Sequence, residues 1–189
     1  EKEGYKLNRD PKRLKQIERV MKQLAEKSHI PDLPYEVTLV EADDIVNAMA
    51  FPGGKLLVFT GLWHPKDGIV QDDSELAAIL AHEIAHVTCR HSTEEMTRHL
   101  PIELLFAAGM LYAEAQEDDD IATVLSLSFM LYNGLWVTRY SRQDELEADR
   151  VGMMYMAQAG YDPNAAVRLW KRVHEYHGSE PEVLSIFST

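Results

Sequence analysis

Apolar residues at Leu14, Ile17, Val20, Met21 and Leu24 recur at the three- and four-residue steps of a helix face, and Asp10-Pro11 ahead of them supplies an N-cap and a first-turn proline. The pattern predicts a helix to about Ser28. Pro31 and Pro34 break the chain, after which Val37 and Leu39 alternate with polar neighbours as a short strand does. Two β-prone runs, 45–51 and 55–60, flank Pro52-Gly53-Gly54 and predict a hairpin. From Asp72 or Asp73 the pattern is helical, with no Gly or Pro until Pro101, and the acidic start suits a helix N-terminus. Two apolar segments follow, 101–115 and 121–137, separated by the acidic turn Glu117-Asp118-Asp119-Asp120. A further helix runs from Tyr140 to Gly160, and another from Asp162-Pro163 to near Gly178. No internal repeat interrupts this order. It predicts an α+β fold, a small N-terminal sheet followed mostly by helix.

Composition narrows the picture. The 189 residues are 46% hydrophobic, enough for one core, so 1–189 reads as a single domain. Acidic residues outnumber lysine and arginine 31 to 19, a net charge of -12, with no basic stripe. Nucleic acid is thereby an unsuitable partner. The single cysteine, Cys89, rules out an intramolecular disulfide and reads as a packed thiol. The opening Glu1-Lys2-Glu3-Gly4 has neither a signal-peptide nor a transit-peptide pattern, so a targeting segment is absent from this sequence.

The chemistry lies in His82-Glu83-Ile84-Ala85-His86, a His-Glu-x-x-His pattern inside a predicted helix. Residues 82 and 86 are four apart, so both imidazoles project from one face and can share a metal ion. Glu83 is rotated by about 100° from His82, too far round to be a ligand but placed to take a proton from a water on an open metal position. Leu76, Ala77, Ala78, Ile79, Leu80, Ala81, Ile84, Ala85 and Val87 surround the pair with apolar residues. Buried imidazoles need partners, and a metal is one.

A third ligand is required. In one zincin class a histidine closes His-Glu-x-x-His-x-x-Gly-x-x-His, but Cys89 and Ser92 occupy the glycine and final positions here, and His91 falls about 180° from His82 on a continuing helix. The other class takes a glutamate from a separate helix. Glu145 in Ser141-Arg142-Gln143-Asp144-Glu145-Leu146-Glu147-Ala148-Asp149 is that residue, 59 positions after His86 (145 minus 86). Asp149, four further on, shares its face and is placed to accept a hydrogen bond from a ligand imidazole. Glu147 and Asp144 read as solvated charges. His29, His64, His99, His174 and His177 read as surface or capping residues, and His91 and Arg142 as cleft candidates.

Three blocks now stand in order: Asn47-Ala48-Met49-Ala50-Phe51-Pro52-Gly53-Gly54, His82-Glu83-Ile84-Ala85-His86, and Ser141-Arg142 through Glu145 to Ala148-Asp149. Together they resemble the gluzincin peptidases that include HtpX-like proteases, the CAAX prenyl protease, BepA-type periplasmic proteases and the Oma-type mitochondrial peptidase. The likeness is greatest to the soluble BepA/Oma-type branch. It implies a zincin-like domain with one Zn2+ per chain and Glu83 as general base. The implied activity is endopeptidase action on unfolded, misassembled or membrane-associated proteins. The implied location is the cell envelope or the mitochondrial inner membrane. Thr138 replaces an asparagine of related members. The sequence ends at Phe187-Ser188-Thr189, just before the position of a further histidine in that branch, which implies a fragment lacking its C-terminal part.

The resemblance also places Asn47 and Ala48 on a substrate-side strand, pairing with an extended polypeptide as β-augmentation does. Residues 121–138 carry no charge and fall near the lower length for a membrane span. Their serines, threonines, Asn133 and Gly134 favour a buried or membrane-dipping helix over a span, and membrane-surface contact is expected through 102–137. Two other functions compete. A chaperone-like binding module with a structural zinc would have no use for Glu83, and a non-peptidase zinc hydrolase, which the metal set allows, is disfavoured by an edge strand that suits a peptide backbone.

Overall fold

A computed structural model describes residues 6–8, 10–64, 68–116, 118–136 and 140–177, with side chains 96, 131–136 and 173–177 left out of the description. Short strand β1 (Lys6–Leu7) precedes helix α1 (Pro11–Ala25), which Asp10 caps by accepting from the Lys12 N–H. Strands β2 (Glu36–Glu41), β3 (Ala48–Phe51) and β4 (Lys55–Phe59) follow, then a 3-10 turn at Thr60–Trp63. Five helices complete the chain: α2 (Asp73–Thr88), α3 (His91–Gln116), α4 (Asp119–Trp136), α5 (Arg142–Gln158) and α6 (Asn164–His177). The expected α+β architecture is what the chain adopts. The tail beyond 177, Glu117 and Thr138 lie outside the described residues.

The sheet has the order β1-β2-β4-β3, with β2 and β4 parallel and the β3–β4 hairpin antiparallel. Its turn needs Gly53 and Gly54, whose φ values are +83° and +80°, a region that a side chain disfavours. β3 is therefore an edge strand, with one row of backbone groups not used by the sheet.

Helix α2 is the centre of the molecule. Every residue from Glu75 to Val87 is buried, because α1, α5, α6 and β3 pack around it. Ile79, Leu80 and Ile84 meet Ile17, Val20 and Leu24 of α1, Val58 of β4, Tyr155 and Met156 of α5 and Leu169 of α6 in one core. Each such aliphatic side chain stabilises the fold by roughly 1.5–3 kcal/mol. Asp72 caps the helix through the Glu75 N–H, and the buried Glu75 carboxylate receives both guanidinium nitrogens of Arg172, tying α6 to the start of α2.

One boundary departs from the pattern reading. The helix predicted to continue from Asp72 to Pro101 ends at Thr88, because Arg90 adopts a left-handed conformation with φ 65°. No Gly or Pro marks this break. Pro101 instead lies inside α3. A second chain direction therefore begins at His91, which decides where that residue's side chain goes. No helix among the described residues is long and apolar enough to cross a membrane.

Candidate metal centre

α2 and α5 pack closely, and the contact explains how residues far apart in sequence reach one point. Gly152 of α5 sits against the Ala81–His82 peptide, where an added Cβ would be 3.1 Å from three backbone atoms. This close approach sets α5 so that Glu145 and Asp149, on the same helix face, meet His82. Ser141 and Asp144 fix the start of α5 with a reciprocal capping box.

His82 Nε2 and His86 Nε2 lie 3.0 Å apart, and the Glu145 carboxylate faces both, with Oε2 3.4 Å from the first and Oε1 3.6 Å from the second. A tetrahedral ion with bonds of about 2.05 Å places its ligand atoms about 3.3 Å apart, a spacing these three distances bracket. Glu145 Oε1 is buried without a hydrogen-bond partner. A buried lone pair of this kind costs free energy unless something positive sits before it. The donor set of two imidazoles and one carboxylate thus fits a metal cation, and these three residues could hold one.

The surrounding groups set which nitrogen is available. His82 Nδ1 is 2.9 Å from Asp149 Oδ1, so Nδ1 carries the proton and Nε2 presents its lone pair to the centre. His86 Nδ1 is 2.9 Å from His91 Nδ1, and His91 Nε2 is 3.3 Å from Glu147 Oε2. With His86 Nε2 turned to the centre, its Nδ1–H donates to His91, whose Nε2–H donates to Glu147. Tyr140 stacks on His86, ring centroids 4.1 Å apart, and closes that side.

Burial alone would lower His82, but Asp149, Glu145 and Glu83 outweigh it and raise the imidazole to about 10. Burial, His82 and His91 push His86 down to about 2, which keeps it neutral. Burial, aided by Glu145, raises Glu83 to about 8 despite the opposing His82 and Ala50. A carboxyl group held near neutrality is poised to exchange a proton.

The structure brings His82, His86, Glu83, Glu145 and Asp149 together. Asn47 and Ala48 lie at the start of edge strand β3, where Asn47 Oδ1 accepts from the Ala48 N–H at 2.8 Å. The backbone of Ala50, two residues along, lies near enough to Glu83 to favour its charged form. Sequence reading missed this residue, although the same strand alternation that selects Ala48 also selects Ala50. It missed Tyr140 too, which immediately precedes Ser141. The solvated reading of Glu147 needs correction: it is exposed, yet its carboxylate reaches His91. Asp144 belongs to the helix cap. His99 is buried beside Glu95 rather than on the surface. Arg142 is exposed at the first turn of α5, and the side chains of His174 and His177 lie outside the described residues.

The family model described as peptidase family M48 matches residues 11–185. A relative described as mitochondrial metalloendopeptidase OMA1, from Schizosaccharomyces pombe, is 37% identical over 175 residues, 92% of this chain and 48% of that protein. A putative β-barrel assembly-enhancing protease of Vibrio cholerae is 37% identical over 149 residues, 75% of this chain and 30% of that protein. The β-barrel assembly-enhancing protease of Escherichia coli O157:H7 is 31% identical over 158 residues, 80% of this chain and 31% of that protein. The chain thus spans half or less of the length of these relatives.

Proposed function

We infer the function from one premise: the chain belongs to peptidase family M48. It acts as a zinc-dependent endopeptidase on unfolded or misassembled polypeptides. The observation that carries this reading is the convergence of His82, His86 and the orphaned Glu145 oxygen beside the buried Glu83. One zinc held by His82, His86 and Glu145 supplies Lewis acidity toward a peptide carbonyl and acidifies water.

The chain's own residues do the rest. Asp149 orients His82, while His91 and Glu147 orient His86, so both imidazoles keep the tautomer a metal needs. Glu83 takes the proton from the attacking water and delivers it to the departing amine. An extended substrate segment pairs with the open side of β3 near Asn47 and Ala48. Its backbone then runs past Ala50, the residue near Glu83. Seating the segment requires the Asn47 side chain to release the Ala48 N–H.

Cleavage of an unfolded protein with metal analysis tests the reading. Chelation should abolish cleavage, zinc should restore it, and Glu145→Ala should lose both metal and activity. Near-full zinc occupancy in Glu145→Ala would show that another residue supplies the third ligand.

The place of action we propose is the cell envelope or the mitochondrial inner membrane, with residues 102–137 resting on a bilayer surface. What supports this is the exposure of Leu104, Leu105, Leu111 and Tyr112 on α3 and of Val124, Leu127 and Met130 on α4. Co-sedimentation with neutral lipid vesicles tests it. Binding that Leu105→Glu weakens supports the contact, and no binding by the unaltered chain refutes it.

A further inference from the structure

Behind His86, on the side away from Glu145, lies a second set of ligating side chains, of which the proposed proteolytic chemistry uses His91 and Glu147 only to orient His86 and Cys89 not at all. Cys89 caps the end of α2, His91 opens α3 after the break at Arg90, and Glu147 reaches over from α5. A sulfur, an imidazole nitrogen and a carboxylate oxygen from these three lie within 4.8 Å of one another. The His91 nitrogen on that side is Nε2, since Nδ1 is engaged with His86. His91 is buried, Cys89 half-buried and Glu147 exposed, so the inner ligand is fixed while the outer ones can close in. Burial and the neighbouring Glu147 carboxylate hold the Cys89 thiol above its ordinary value. It is therefore a poor nucleophile as it stands, and a metal cation is the partner that displaces its proton.

We propose that Cys89, His91 and Glu147 form a second, inhibitory binding site for a thiophilic divalent cation such as zinc. The donor set of thiolate, imidazole and carboxylate selects borderline-soft cations over magnesium or calcium. Binding there is coupled to the first centre, a consequence that rests on the peptidase reading. A neutral imidazole carries a single N–H, so a cation on the lone pair of His91 Nε2 requires the tautomer in which that proton has moved to Nδ1. His86 also keeps its proton on Nδ1 while Nε2 serves the first centre. Two N–H groups cannot share the 2.9 Å contact between them. Filling the second site therefore breaks this hydrogen bond and loosens His86.

Cobalt(II) titration of the full, metal-stripped chain separates the two sites. The first centre has only nitrogen and oxygen ligands, so the first equivalent should give no sulfur signal. Further cobalt should produce a thiolate-to-cobalt charge-transfer band in the near ultraviolet, assignable at once because Cys89 is the chain's only cysteine. Cys89→Ser should abolish the band while leaving binding of the first equivalent unchanged. Glu147→Gln should raise the cobalt concentration needed for the band about tenfold or more. Excess zinc should inhibit cleavage by the unaltered chain and spare Cys89→Ser. No charge-transfer band in the unaltered chain, or a band whose midpoint Glu147→Gln leaves in place, overturns the site. A normal band with equal zinc inhibition of Cys89→Ser overturns the coupling. Failure of the peptidase reading shows separately, as a chain that binds the first equivalent yet cleaves nothing.

Discussion

Replacing Gly152 with alanine perturbs the metal centre without touching a ligand. The new Cβ would lie 3.1 Å from Ala81 C, Ala81 O and His82 N, where ordinary contact begins at 3.4 Å. All three are backbone atoms of α2, so no side chain can swing aside and the helices must part by roughly 0.3 Å or more. Overpacking of this kind costs about 1–3 kcal/mol, and the better helix propensity of alanine returns about 1 kcal/mol. The net loss of stability is thus at most about 2 kcal/mol. The larger effect falls on the centre, because Glu145 and Asp149 precede Gly152 by seven and three residues on one face of α5. Parting the helices lengthens the 2.9 Å Asp149–His82 hydrogen bond and the 3.4 Å Glu145–His82 separation together. Metal affinity should fall about tenfold, comparable to losing an outer partner of a ligand. Competition against a chromophoric chelator measures it, with thermal melting alongside. Wild-type affinity in a chain that melts at a lower temperature would refute the claim that this contact positions the ligands.

Two further outcomes follow from the same geometry. Asp149→Ala should keep the fold and bind zinc about 10- to 100-fold more weakly, because His82 loses the carboxylate that fixes its tautomer; unchanged zinc affinity and turnover would make Asp149 an ordinary surface charge. In chelator the melting temperature should fall as pH rises from 6.5 toward 10. His82, raised from 6.5 to about 10, stabilises the folded chain below 6.5 and ceases to as pH passes 10, while Glu83, raised from 4.5 to about 8, adds a loss that ends near pH 8. His86, lowered to about 2, acts oppositely but only below pH 6.5. A flat or rising melting curve above pH 6.5 contradicts this assignment.

Much of the centre was legible because its spacing is short-range. The four-residue steps between His82 and His86, and between Glu145 and Asp149, need only a helix to put each pair on one face. The β3–β4 hairpin was legible through Pro52-Gly53-Gly54. What periodicity could not supply was the break at Arg90, since a positive φ at a non-glycine residue leaves no compositional mark. That break carries His91 out of the α2 register and against His86, so a rotation argument along one continuous helix misplaced it. Glu147 was read from its own helix alone. Its contact with His91 depends on how α5 packs against α2, which sequence spacing does not contain. The two-residue β1 and the parallel pairing of β2 with β4 are tertiary facts of the same kind.

Glu83 carries the central claim, and Glu83→Gln tests it most directly, since glutamine keeps the size of the side chain and removes the proton acceptor. With zinc content confirmed equal in both proteins, initial rates of cleavage should be measured on a permanently unfolded casein substrate. The account predicts retained zinc and substrate binding, with turnover lowered by roughly 100-fold or more. Equal cleavage rates at equal zinc content would contradict it.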